Sequence, residues 1–207
     1  MRLAVVVFLL LFLMGCVSKQ SVEGSYNRPG WFGYIEDTES GFDNGRSINL
    51  IPTYTSEENP KLLLGARWAS KFPANTFMLV VDVSEALNFE PSDALTFRVD
   101  KEYIALAAVN TDDYGDASKR FVGGDSGLFT TNPVVNVGLK TTKEYWINRE
   151  QLTALLNSKE LFMRVNLIND KYLEGEIEEL FGGDERMEFV SAKQALKRFL
   201  VRVDGIN

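Results

Sequence analysis

The hydrophobic pattern of this chain is mostly that of strands. Phe77–Val83 is almost continuously apolar, which suits a central strand covered on both faces. Leu62–Ala69 alternates loosely and reads as a strand, and Trp31-Phe32-Gly33-Tyr34-Ile35 has strand composition. Asp43-Asn44-Gly45 is a turn signal, so a strand is expected at Ser47–Ile51, and Pro52 at its end suggests an edge position. Trp68 and Trp146 lie in strand-like runs and are core candidates.

Two hairpins can be registered from the letters. With Asp100-Lys101 as the turn, Phe97 falls opposite Ile104 and Leu95 opposite Leu106, all on one face. With Asn169-Asp170-Lys171 as the turn, Leu167 faces Leu173, Val165 faces Gly175 and Met163 faces Ile177. The other face then pairs Arg164 with Glu176 and Asn166 with Glu174. A one-residue slip would turn every apolar side chain to the wrong side.

Helical signals occur twice. Asn148-Arg149-Glu150-Gln151 has capping-box spacing and predicts a helix over about 149–157 that buries Leu152, Leu155 and Leu156. Ser191-Ala192-Lys193-Gln194 has the same spacing. Behind it, Ala192, Ala195, Leu196, Phe199, Leu200 and Val203 form one apolar stripe. Lys193, Lys197, Arg198 and Arg202 supply the polar face, three of them late in the helix where cations suit its dipole. A basic amphipathic helix can also lie on a membrane surface, but this stripe is what docking on a sheet requires. From Asn110 to Lys143 no regular pattern persists, except for a short strand at Val134–Leu139; long irregular loops are often functional. Together these elements predict a mainly β fold (α+β is the nearest alternative). The expected form is an antiparallel β-sandwich or curved sheet of about seven to nine strands, with a short helix near 149–157 and an amphipathic helix near 192–203.

Composition adds a compartment. Arg2 precedes an uncharged apolar run from Leu3 to Leu13, the layout of an export signal. The run is too short for a membrane span, which needs about 20 apolar residues. Leu13-Met14-Gly15-Cys16 closes it with the chain's only Cys. These four residues resemble the lipobox of bacterial lipoproteins. The resemblance implies a signal peptide over 1–15, acylation (palmitate among the chains) at Cys16, a tether over 16–28 and one β-rich domain over 29–207. It further implies a place in the cell envelope. Val17 is not the Asp of an inner-membrane retention signal, so the outer membrane facing the periplasm is favoured over the cell surface or the inner membrane. Removing 1–15 takes away only Arg2 and moves the formal balance from −7 to −8. Such acidity argues against nucleic acid and against electrostatic adhesion to anionic lipid, so the lipid chains must hold the protein.

Catalytic kits are scarce. The chain has no histidine, which excludes His-based zinc sites and His general bases. Gly124-Asp125-Ser126-Gly127 resembles the segment around the nucleophilic serine of trypsin-like proteases, but without His nothing takes the serine proton. Asn110, Asp112, Asp113, Asp116 and Asp125 offer oxygen ligands of the kind Ca²⁺ takes, without the EF-hand pattern or its distal Glu. Glu174, Glu176 and Glu178 share a strand face, and two carboxylates are the minimum for glycoside hydrolysis. A working acid also needs a desolvating pocket, and an open face beside Arg164 lacks one. Trp31, Phe32, Tyr34 and Phe42 cluster near the domain's start and are candidate aromatic anchors for a sugar or protein partner. The expectation is therefore a non-enzymatic, lipid-anchored binding or interaction module that needs no cofactor or metal. Its partner would be another envelope protein or a glycan. The alternatives are a carboxylate-dependent hydrolase of cell-wall glycan and a structural or assembly lipoprotein.

Overall fold

A computed structural model describes residues 29–42, 44–91, 95–110, 115–123, 135–179 and 190–206; for 116–123 and 135–138 only the backbone is described. The chain forms β1 (Ile35–Glu39), β2 (Arg46–Tyr54), β3 (Leu62–Ala69), β4 (Thr76–Val83), β5 (Leu95–Val99), β6 (Glu102–Leu106), β7 (Asp116–Gly123), β8 (Val135–Asn148), α1 (Arg149–Asn157), β9 (Leu161–Leu167), β10 (Lys171–Glu176) and α2 (Ala192–Asp204). The fold is mainly β. Six strands make one antiparallel sheet, ordered β1-β2-β3-β4-β8-β7, and four make a second, ordered β10-β9-β5-β6.

Alternation decides what the sheets bury. In β9 the pattern places Leu161, Met163, Val165 and Leu167 inside and Phe162, Arg164 and Asn166 outside. The inner residues join Phe97 of β5, Leu79 and Val81 of β4, Tyr145 of β8 and Phe199 of α2 in a shared core. β4 lies between β3 and β8, so its continuous apolar run is explained by an interior position.

Both helices begin as their caps direct. Asn148 accepts from the Gln151 backbone N–H, and the Gln151 side chain accepts from the Asn148 N–H, closing the capping box of α1. At α2 only half of the expected box forms, with Ser191 accepting from the Gln194 N–H. α2 buries Ala192, Ala195, Leu196, Phe199 and Val203, with Phe199 edge-on to Phe77 of β4 at 6.1 Å. Lys193, placed by its spacing on the polar face, is buried. Its ammonium donates to the Ser158 carbonyl just past α1 (2.7 Å) and pairs with Glu179. The reason is that α1 ends beside α2, where a carbonyl without a helical partner needs a donor.

The first hairpin has the expected register, Phe97 opposite Ile104 and Leu95 opposite Leu106. The second is displaced by two residues, so Arg164 faces Glu174 and not Glu176, and Val165 faces Leu173. A shift of two keeps each side chain on its face. The ladder of this register runs on to Leu161, and contacts outside the hairpin, with Thr55 and Asn59, hold it. The Ile177 N–H donates to Leu161, the Glu178 N–H to Thr55, and the Asn59 amide to the Glu174 carbonyl.

Three local expectations fail for edge and bulge reasons. Trp31–Tyr34 is a turn, with Gly33 at φ 74°, and the strand starts at Ile35. Pro52 does not mark an edge: β2 lies inside the sheet, and its register shifts between Leu50 and Thr53, a bulge that spares Pro52 a ladder bond. Residues 116–123, read as irregular, form β7, a charged edge strand without apolar alternation. The short strand expected at Val134–Leu139 is the start of the longer β8.

The Tyr145 hydroxyl is buried in the core with no hydrogen-bond partner among the described residues. Burial pushes its pKa far up. A buried, unsatisfied hydroxyl costs about 1–3 kcal/mol. Tyr145→Phe should therefore raise the unfolding free energy by about 1 kcal/mol, read as a higher midpoint in urea at unchanged slope.

Candidate binding face

β5, β6, β9 and β10 turn one face to the core and one outward. The outward face carries arginines and rings beside Thr96, Asn166 and Glu174. Arg98 of β5 lies over the Phe162 ring of β9, its guanidinium carbon 4.2 Å from the centroid. Arg164 of β9 lies over the Tyr172 ring of β10 at 4.4 Å. The cause is register: Arg98 is directly opposite Phe162, and Tyr172 is diagonal to Arg164 through the Asn166 pairing. Tyr103, opposite Arg98 on β6, is 75% exposed, and Tyr172 is 53% exposed. Arg98, Tyr103, Phe162 and Arg164, with Thr96, Asn166 and Glu174, line an open groove of about 350 Å³.

The two arginines differ electrostatically. Arg164 donates through Nε (3.0 Å) and through an Nη (2.7 Å) to one Glu174 oxygen. The Glu174 bond holds its guanidinium above the ordinary value. Arg98 meets no described carboxylate. Arg46 and Arg202 both pair with Asp37, Arg67 with Glu144, and Arg149 with Asp204.

The aromatics singled out by sequence are not gathered into one surface. Phe32 is buried and stacks on Tyr54 at 4.9 Å, while Trp31 and Tyr34 are half-buried. Phe42 is fully exposed in the β1–β2 turn, at the far end of β1 from Ile35. Asp112, Asp113 and Asp125, together with the Gly124–Gly127 turn, lie outside the described residues, as does the side chain of Asp116; Cys16 and the tether do too. Among the described residues no acidic, His or Cys group is arranged to hold a metal ion, and no helix is long and apolar enough to cross a membrane. Glu174 is occupied by Arg164, and Glu176 is exposed. Burial, together with the nearby Glu57, Glu176 and Glu58, raises the Glu178 carboxyl.

Sequence reasoning placed Arg164 in the second hairpin but did not see the Arg–aromatic face. A signal was present: every outward position of Phe162-Met163-Arg164 and Arg98 is large, planar or both. Recognising it required knowing that β5 pairs with β9, two strands far apart in sequence.

Asp37 organises a second charged spot on the opposite sheet. It accepts from Arg46 (2.8 and 2.6 Å) and from Arg202 (3.2 and 2.8 Å), tying the edge strand β1 to the last turns of α2. The Arg46 bond is the main reason its carboxyl sits below the ordinary 3.8. A lowered carboxyl stabilises the fold above its unfolded pKa and loses that contribution as pH falls through the folded value. Asp37→Asn should cost about 1 kcal/mol at pH 7, since part of each arginine is solvent-screened. The gap between variant and wild type should close below about pH 4 in pH-dependent thermal melts.

No protein-family model matches this chain, and no curated protein or solved structure matches it either.

Proposed function

We propose that this protein is a membrane-anchored envelope lipoprotein whose domain acts as a non-enzymatic binding module, and that it binds through the outer face of the β10-β9-β5-β6 sheet. The observation that carries this reading is the paired Arg–aromatic ladder flanked by two exposed tyrosines. Tyr, Phe and Arg are the residues over-represented at interfaces and their hot spots. Exposed sheet faces that only need solvation use Lys, Glu and Thr at lower cost in exposed ring area. The anchor is supported by Leu13-Met14-Gly15-Cys16, and outer-membrane placement by Val17.

A photo-crosslinking residue at position 103 tests the face in intact cells. The expected result is a specific adduct, with protein or with glycan, that is absent when the same residue replaces exposed Val201 on α2. Equal labelling at both positions, or none at 103, overturns the proposed face. For the anchor, Cys16→Ser should move the protein from the membrane to the soluble fraction. A variant that stays in the membrane pellet after a carbonate wash would defeat it.

A further inference from the structure

We infer that this face takes an acidic sugar residue of a glycan, with the Arg98 guanidinium as the anchor for its carboxylate. The inference rests on the binding-module reading above and supplies the ligand for it.

Charge is the first reason. The chain carries 29 acidic residues, and Arg46, Arg67, Arg149, Arg164 and Arg202 each meet a carboxylate. Arg98 alone among these described groove and surface arginines has a ring beneath it and no carboxylate beside it. The Phe162 ring supports the guanidinium from one side, and Arg98 itself lines the groove. A fork held in this way loses little freedom when a carboxylate docks on it bidentately. Glu174, the acidic lining residue, is neutralised by Arg164, so it does not repel an incoming anion.

Size is the second reason, and it separates a glycan from a protein. Four strands about 4.8 Å apart and five residues long at about 3.3 Å each give a face of roughly 300 Å². A stable protein interface uses about 800 Å² per partner. A groove of about 350 Å³ falls within the range of small-ligand sites. Tyr103 has no cation over its ring among the described residues and offers a flat face to the C–H side of a sugar. Thr96 and Asn166, in the same groove, are placed to meet hydroxyls.

The test uses full-length protein in detergent micelles and saturation-transfer NMR on three probes: a galacturonate trimer, its methyl ester, and a glutamate hexapeptide. The acid trimer should bind, and the ester should bind at least tenfold more weakly, because it keeps the rings and loses the charge. Arg98→Gln should weaken the trimer about tenfold, with Arg98→Lys in between, since Lys keeps the charge without the fork. Tyr103→Ala should also weaken it. Thermal melts confirm that each variant is folded, which the lack of an ion pair at Arg98 favours. Equal binding of acid and ester, or wild-type affinity in Arg98→Gln, overturns the inference. Arg98-dependent binding of the peptide alone overturns it too, assigns the face to an acidic protein segment, and leaves the binding-module reading standing. Failure of all three probes together with no crosslink at position 103 removes both.

Discussion

Replacing Phe199 by Ala should lower folding stability by about 4 kcal/mol, the cost typical of emptying a buried aromatic site. Phe199 is fully buried, and its ring meets Phe77 edge-on at 6.1 Å, an arrangement worth more than area alone. The helix it belongs to covers β2 and β3, which are far from the four-stranded sheet's outer face. The expected result is therefore a large drop in the urea midpoint without loss of ligand binding below that midpoint. Loss of binding in the still-folded variant would show that α2 and the Arg–aromatic face are coupled through the shared core.

Gly65→Ala should be the second severe change, at about 3 kcal/mol. A Cβ at this position would lie 2.5 Å from the Leu50 carbonyl oxygen and 2.9 Å from the Pro52 nitrogen. Those atoms are backbone, and they belong to the bulge that lets Pro52 sit inside an internal strand. Neither can move as a flexible side chain would. Denaturation of the variant reads the cost directly, and a loss under about 1 kcal/mol would mean that β2 does not approach β3 as closely as its bulge requires.

The chain's lone Cys lies at position 16, so no disulfide can form within the domain. Stability must come from burial and from ties between elements. Several of those ties run through single polar side chains. Asp100 in the β5–β6 turn accepts from the Glu160 and Lys159 backbone N–H groups at 2.9 and 3.0 Å, and the Glu160 bond chiefly draws its carboxyl below the ordinary value. Lys143 reaches the Glu90 and Pro91 carbonyls. Asp82 is buried between Lys140 and Thr142. Each joins segments distant in sequence, and the ties of Lys143 and Asp82 also spare a buried polar group the penalty of having no partner.

Local chemistry was legible in the letters wherever one element carries its own signal. Loose alternation marked β3, a continuous apolar run marked β4, and strict alternation marked the faces of β9. The Asp100-Lys101 turn set a register that the structure keeps, and Asn148 with Gln151 announced α1. The apolar stripe of α2 predicted docking, and α2 is docked. What failed did so where a neighbour decides. The second hairpin slid by two residues because period-two patterning distinguishes faces and not partners, and bonds with Asn59 and Thr55, outside the hairpin, hold one among registers of equal parity. Lys193 went inward because the Ser158 carbonyl, just past α1, accepts from it.

By itself, then, the sequence determined the mainly β class, the placement of both helices, the face of most strands, and the motif on which the envelope anchor is proposed, because each depends on residues within a few positions of one another. Only the tertiary structure decided the pairing of β5 with β9, and with it the candidate binding face. Arg98 and Phe162 stand far apart along the chain and meet because two hairpins share one sheet. Such a contact is set by the closure of a long loop and the packing of a common core, which no local pattern of residues encodes.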